Sequence, residues 1–123
     1  MNGLNLPKVV FDTNAFIYFI QGDLRLFEYS NSTLYISEYT DMELKGRFGI
    51  SNEELQHLNE ILEDFIILPF NSEIKERAIF IRHKNRLKLP DALIVSTAMW
   101  IELPFVTADK HFKNVENLNL IML

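Results

Sequence analysis

Hydrophobic residues along the chain fall into short continuous runs that alternate with stretches of helical spacing. The runs are apolar on both faces, which is typical of strands buried in a parallel sheet. The predicted strands are Lys8–Phe11, Leu34–Ile36, Phe65–Leu68, Phe105–Thr107 and Leu118–Met122. Strands that alternate with helices predict an α/β fold, here a three-layer α/β/α sandwich with a mostly parallel central sheet.

Capping residues and helical spacing predict the segments between the strands. Ser51 followed by Glu54 is a capping-box pattern, and Pro90 opens a segment that is apolar almost all round and is therefore expected to be buried. The predicted helices are Asn14–Ile20, Leu24–Tyr29, Ser37 to about Lys45, Ser51 to about Asp64, a long helix after Asn71, Asp91–Trp100 and Ala108–Phe112. With no repeat and no linker-like stretch, we expect a single domain over residues 1–123.

Composition narrows the classes of function. The chain has 123 residues, 48% of them hydrophobic, a net charge of −5 and no cysteine. The lack of cysteine excludes disulfides, thiolate chemistry and cysteine-ligated zinc. No apolar run is long enough to span a bilayer, so we expect a soluble, cytoplasmic protein. The negative net charge argues against a general nucleic-acid coat.

Three aspartates are expected at the edge of the sheet where the strands end. Asp12 ends the first strand, Asp91 begins the buried helix and Asp109 follows the fourth strand. Glu43 lies two turns into the helix after the second strand, where its long side chain can reach the same region. Any one aspartate is a common helix cap, but several like charges at one edge raise a pKa or require a counter-ion. A divalent cation supplies that charge, and oxygen ligands without cysteine favour Mg²⁺ or Mn²⁺.

Four segments, in their order and separation, resemble the PIN-domain ribonucleases. They are VVFDTN, ISEYTDMEL, LPDALIVSTA and FVTADKHF. The likeness is to small single-domain VapC-type toxins of toxin–antitoxin pairs, and it extends from about Lys8 to the end of the chain. This resemblance implies a metal-dependent endoribonuclease that uses Mg²⁺ or Mn²⁺, acts on RNA, forms a homodimer and is neutralised by a cognate antitoxin protein.

The resemblance also assigns roles to individual residues. It places the acidic cluster, expected to bind metal and act in catalysis, on Asp12, Glu43, Asp91 and Asp109. It places supporting polar residues on Asn14, Thr107, Thr13, Ser37 and Thr40. Glu38 and Asp41 lie close to Glu43, and either can take its place in the site. The Thr-x-x-Glu-Leu spacing favours Glu43 over Asp41.

A basic run immediately precedes Asp91. Its members expected to contact RNA are Arg82, Lys84, Arg86 and Lys88. Such a run can track a phosphate backbone into the acidic pocket, which makes binding salt-dependent. The alternative is that it forms only the solvated face of a helix.

Other functions stay open at this point. The acidic cluster can serve a catalytically silent domain that binds metal or a partner, or Asp12 can act in phosphotransfer. Asn14 stands where haloacid-dehalogenase phosphatases carry a second aspartate, which disfavours phosphotransfer. No residue distinguishes RNA from DNA, and the apolar stretch Phe16–Ile20 is a candidate dimer surface if it is exposed.

Overall fold

The predicted strands form one sheet in which all neighbours are parallel. The structure is a computed structural model that describes residues 6–123. The strands are β1 (Lys8–Phe11), β2 (Thr33–Ser37), β3 (Phe65–Leu68), β4 (Phe105–Thr107) and β5 (Leu120–Met122). Their order is β3-β2-β1-β4-β5, so the chain runs outward from β1 in one direction and returns to the other side at β4. Parallel sheets carry their sites at such a reversal, outside the carboxyl ends of the strands.

Helices cover both faces of the sheet. They are α1 (Thr13–Ile20), α2 (Glu38–Lys45), α3 (Asn52–Leu62), α4 (Ser72–Asn85) and α5 (Leu89–Ile101), with 3₁₀ helices at Leu24–Tyr29 and Lys110–Phe112. Residues of α4 and α5 pack with Val10 and Phe105 on one face, whereas residues of α1 and α3 pack with Phe11 and Val106 on the other. Adjacent strand residues therefore enter opposite cores, which explains the continuous apolar runs. The predicted α/β/α sandwich is confirmed.

Several element ends differ from the prediction for local reasons. The segment at Ala108 is not helical, because Asp109 is extended and its side chain accepts a hydrogen bond from the backbone N–H of His111, which starts a short 3₁₀ turn. The last strand begins at Leu120, after Asn117 turns the chain with a φ of 62°. Across residues 6–123, no helix is long and apolar enough to cross a membrane.

Candidate active site

Four carboxylates line one cavity at the carboxyl edge of the sheet. The cavity holds about 130 Å³ and is bounded by Asp12, Thr13, Asn14, Glu43, Pro90, Asp91, Ile94 and Asp109. Asp12 follows β1 and Asp109 follows β4, so the cavity lies where the strand order reverses. The fold therefore brings together four acids that are far apart in the sequence.

Asp12 is the most deeply buried of these acids, with 6% of its surface exposed. Its Oδ1 accepts a hydrogen bond of 2.8 Å from the backbone N–H of Ala15, so it caps α1. Its Oδ2 accepts a hydrogen bond from the hydroxyl of Thr107. The same hydroxyl oxygen accepts the backbone N–H of Asp109 at 3.0 Å. Thr107 therefore links the first acid of the cavity to the last.

Burial and neighbouring charges disfavour the ionised form of Asp12. Burial raises the pKa of this carboxyl, and the hydrogen bonds from Thr107 and Ala15 lower it only in part. The charges of Asp109 and Asp91 raise the pKa further. Asp12 is thus held by a cap and a hydroxyl in a place where its charge is not fully compensated.

Asp91 experiences the same repulsion. Burial is the largest cause of its raised pKa, and the charge of Asp109 is the next. The charges of Lys88 and His111 oppose the shift, whereas Glu43 adds to it. Lys88 therefore offsets part of the negative charge of the cavity.

Glu43 is oriented by a pair of threonine hydroxyls. The Oγ1 of Thr13 donates a hydrogen bond of 2.9 Å to Oε1 of Glu43 and lies 3.0 Å from the Oγ1 of Thr40. A hydroxyl has one proton, so a Thr13 that donates to Glu43 must accept from Thr40. Thr40 is fully buried. The pair forms a directed chain from the core to an otherwise exposed glutamate.

The two alternative acids of α2 are engaged elsewhere. Oε1 of Glu38 accepts the backbone N–H of Phe70 at 2.9 Å. Oδ1 of Asp41 lies 2.8 Å from Nζ of Lys45, one turn along the helix. Neither side chain lines the cavity. Glu43 is therefore the acid of α2 that reaches the other three.

Of the two remaining predicted polar residues, one lines the cavity and the other does not. Asn14 is exposed and lines the cavity beside Thr13. Ser37 does not line it, because its Oγ accepts the backbone N–H of Tyr39 at 3.1 Å and caps α2. Ser37 therefore fixes the start of the helix that carries Glu43.

The residues of the predicted basic run lie on α4 and on the short turn between α4 and α5. Lys84 Nζ lies 3.1 Å from Oε2 of Glu116. Arg82 lies on α4, and Arg86 follows this helix in the left-handed conformation with a φ of 54°. Lys88 directly precedes α5 and, of the four, is the one whose charge acts on Asp91.

The donor set fits a divalent cation. The cavity offers carboxylate oxygens with hydroxyls behind them, which are the hard ligands that Mg²⁺ and Mn²⁺ prefer. Among residues 6–123, no three His, Cys, Asp or Glu side chains are already arranged as a ligand set. Carboxylates repel one another, and a cation between them would draw them closer together. Burial, and after it the charge of the neighbouring acids, raises the pKa of Asp12 and of Asp91, and a bound cation would oppose both effects.

Two features of the site were not evident in the sequence. Nδ1 of His111, whose side chain is exposed, lies 2.8 Å from Oδ1 of Asp109. Its position two residues after a capping aspartate is the only signal that indicates this contact. The second feature is an apolar groove of about 490 Å³ that opens onto the cavity and shares Thr13, Asn14 and Glu43 with it.

The groove also shows where the stretch Phe16–Ile20 lies. Phe16 is fully buried, and Phe16, Ile17 and Ile20 line one wall of the groove. Residues from α2 and α3 and the loop between them form the opposite wall. The stretch is therefore partly core, at Phe16, and partly the wall of a concave surface, where Ile20 is 40% exposed.

Comparisons with known proteins identify the family. A family profile described as PIN domain matches residues 9–118. The chain therefore belongs to the PIN-domain family. Members of this family that resemble VapC are nucleases, and PIN-domain nucleases generally use divalent metal ions. A search of curated proteins finds no significant match.

Solved structures with this fold include several toxin–antitoxin proteins. A toxin–antitoxin complex from Klebsiella pneumoniae matches with a TM-score of 0.79 and 28% identity, over 93% of this chain and 96% of that one. VapBC-1 from nontypeable Haemophilus influenzae matches with a TM-score of 0.79 and 20% identity, over 94% of this chain and 97% of that one. VapBC2 from Rickettsia felis, bound to a fragment of promoter DNA, matches with a TM-score of 0.74 and 23% identity, over 94% and 98%.

Asp12→Asn should stabilise the protein when no divalent cation is present. A folded-state pKa above the ordinary value of 3.8 means that the folded protein binds more protons, so its free energy of unfolding falls as the pH rises through the raised pKa. The substitution removes this loss, so it should raise the free energy of unfolding at pH 7 and flatten its dependence on pH. Urea unfolding in EDTA between pH 4 and 7.5 measures the free energy of unfolding of both proteins and its dependence on pH. Asp64→Asn, at an exposed aspartate, is the control, and a destabilised Asp12→Asn with an unchanged pH slope would contradict the account.

Proposed function

We propose that this protein is a Mg²⁺- or Mn²⁺-dependent endoribonuclease and the toxin of a toxin–antitoxin pair. The observation that carries the proposal is the gathering of Asp12, Glu43, Asp91 and Asp109 around one cavity. Membership of the PIN-domain family and the likeness to toxin–antitoxin structures support it. We also propose a cytoplasmic location, because the RNA substrate is found there.

The carboxylates have distinct tasks in this proposal. Asp12 and Asp91 hold the main metal ion, and Asp109 and Glu43 bind it directly or through water, or position the attacking water. The ion, when bound, lowers the pKa of water and offsets charge on the phosphoryl oxygens. Thr107 keeps Asp12 in register with the backbone of Asp109. The hydroxyl of Thr107 restricts the side chain of Asp12 before the metal ion binds. Less conformational entropy is then lost on binding.

Other residues prepare the approach of RNA. Acids at the cavity repel a phosphate until a cation neutralises them, and Lys88 provides a fixed positive charge near Asp91. We assign phosphate contacts to Lys88 and Arg86 first, with Arg82 and Lys84 further along the strand of RNA. Asn14 is exposed at the rim of the cavity and can donate to a phosphate oxygen. The choice of RNA over DNA rests on the family likeness.

The proposed protein partners are an antitoxin and a second copy of this chain. The antitoxin is placed in the apolar groove, since the groove ends at the acidic cavity and an occupant can block both. Such a segment would be apolar along the groove and basic at the end that meets Glu43. The solved structures support this kind of partner, since VapBC and related matches are toxin–antitoxin complexes.

Asp12→Asn and Asp91→Asn should each reduce cleavage of a mixed cellular RNA pool by on the order of 100-fold or more. Cleavage by the unaltered protein should require Mg²⁺ or Mn²⁺ and stop in EDTA. Asp41→Asn is the matched control, because it neutralises an α2 acid that pairs with Lys45 outside the cavity. Equal products from all three variants would indicate a contaminant, and no products from any protein would favour a catalytically silent domain.

Thr13→Val should weaken Mn²⁺ binding about tenfold, because Glu43 loses the hydroxyl that orients it. Thr40→Val should have a smaller effect in the same direction, since Thr13 then lacks its donor. Electron paramagnetic resonance of free Mn²⁺ measures the affinity without relying on activity. Thr13→Ser retains the hydroxyl, so it should bind Mn²⁺ about as tightly as the unaltered protein does. In a Glu43→Ala background Thr13→Val should change nothing further, and an equal loss there would exclude this role.

Lys88→Glu should weaken RNA binding and reduce the salt dependence of the affinity by about one phosphate contact. Filter binding in the Asp12→Asn background, where cleavage is expected to be slow, measures the affinity between 50 and 200 mM salt. Lys75→Glu makes the same charge change at an exposed position of α4 and serves as the control. An equal effect of both variants would mean that RNA affinity depends only on the net charge of the protein, and it would contradict a specific contact at Lys88.

A further inference from the structure

The loop between α2 and α3 presents an aromatic ring entirely to solvent. Phe48 has 101% of its surface exposed, the highest value among the large hydrophobic side chains of residues 6–123. By contrast, Phe112 is 2% exposed and Tyr39 packs against the core. Exposure of an apolar ring to water is unfavourable, so a contact that covered Phe48 would be favourable.

The backbone on both sides of this ring is fixed. A Cβ atom on Gly46 would lie 2.8 Å from the carbonyl oxygen of Met42, and Gly49 has a φ of 80°, so both positions favour glycine. Ser51 and Glu54 then form the capping box that starts α3. The loop therefore presents the ring from a defined backbone, which reduces the conformational entropy lost when a ligand covers it.

Charges near the ring disfavour a phosphate group. Nη2 of Arg47 lies 2.7 Å from Oε2 of Glu54, so the positive charge next to the ring is already paired. Glu43, five residues before the ring, adds a carboxylate on the α2 side of the cavity. Lys88, whose charge acts on the cavity, directly precedes α5. The backbone of an RNA is therefore attracted to the α5 side, and its uncharged groups are better tolerated on the α2 side.

The ring is also separate from the apolar groove. Arg47 and Ile50, which flank it in the sequence, line the groove, but Phe48 does not. The walls that would hold a protein segment in the groove therefore do not include this ring. Phe48 follows Glu43 by five residues, so their backbones lie on the order of 10 Å apart. A nucleotide adjacent to one bound at the cavity can span that distance.

We propose that Phe48 stacks on an unpaired base of the RNA substrate, next to the nucleotide whose phosphate is cleaved. The inference rests on the proposed nuclease function. Every base has a π-face, so such stacking tolerates any sequence. A base inside a duplex is already stacked and paired, so the ring favours single-stranded RNA over a duplex.

RNA affinity separates stacking from charge. Phe48→Ala, made in the Asp12→Asn background, should bind a single-stranded oligoadenylate about tenfold more weakly. The salt dependence of that affinity should not change, because no phosphate contact is lost. Affinity for a duplex of oligoadenylate with oligouridylate should stay the same. Filter binding measures each case, and circular dichroism checks the fold.

A spectroscopic signal reports the stacking itself. Phe48→Trp keeps a stacking face, so it should bind the single strand as tightly as the background protein does. RNA should quench its fluorescence more than that of the background protein, whose sole tryptophan is Trp100. Phe27→Ala is the matched control, because Phe27 is 73% exposed on the 3₁₀ helix that precedes β2, at the opposite edge of the sheet.

The outcomes distinguish this inference from the proposed function. Equal single-strand affinity with and without the ring, an equal loss in Phe27→Ala, or no extra quenching in Phe48→Trp would each overturn the inference. Metal-dependent cleavage by the unaltered chain in those cases would leave the proposed nuclease standing and the ring available to a protein partner. If the unaltered chain neither binds nor cleaves RNA, the inference and the proposed function both fail.

Discussion

The structure depends on holding four carboxylates at one edge of a parallel sheet. Their mutual repulsion favours a separated arrangement, so each must be fixed by bonds that the fold supplies. The backbone of α1 and the hydroxyl of Thr107 hold Asp12, and the Thr13 hydroxyl holds Glu43. The reversal of strand order at β1 and β4 brings these groups together from opposite ends of the chain. The strand order that defines the fold therefore also assembles the site.

A capping role and a functional role coincide in Asp12. As an N-cap it satisfies the N–H of Ala15, and as a member of the cavity it points its other oxygen to Thr107. Capping costs the site nothing, because a carboxylate has two oxygens and a cap needs only one. The buried position also raises its pKa, so a cation that binds there relieves an existing cost. Asp109 combines a cap with a place at the cavity in the same way.

The sequence predicted the layers and most strands because burial on both faces leaves a continuous apolar pattern. It did not predict the strand order, since that depends on contacts between distant segments. It left Glu38, Asp41 and Glu43 as alternatives, because groups from distant segments distinguish them: the N–H of Phe70 binds Glu38, and the hydroxyl of Thr13 binds Glu43. The apolar groove was also missed, since the spacing of Phe16, Ile17 and Ile20 is the same for a core face and for a groove wall.

The central claim is that the acidic cavity binds a divalent cation, and thermal unfolding tests it most directly. A ligand that binds only the folded state raises its stability in proportion to the logarithm of ligand concentration. With the unaltered chain, millimolar Mn²⁺ should raise the melting temperature by several degrees relative to EDTA, and the rise should vanish in Asp91→Asn. An unaltered chain whose melting temperature is the same in Mn²⁺ and EDTA would contradict the account.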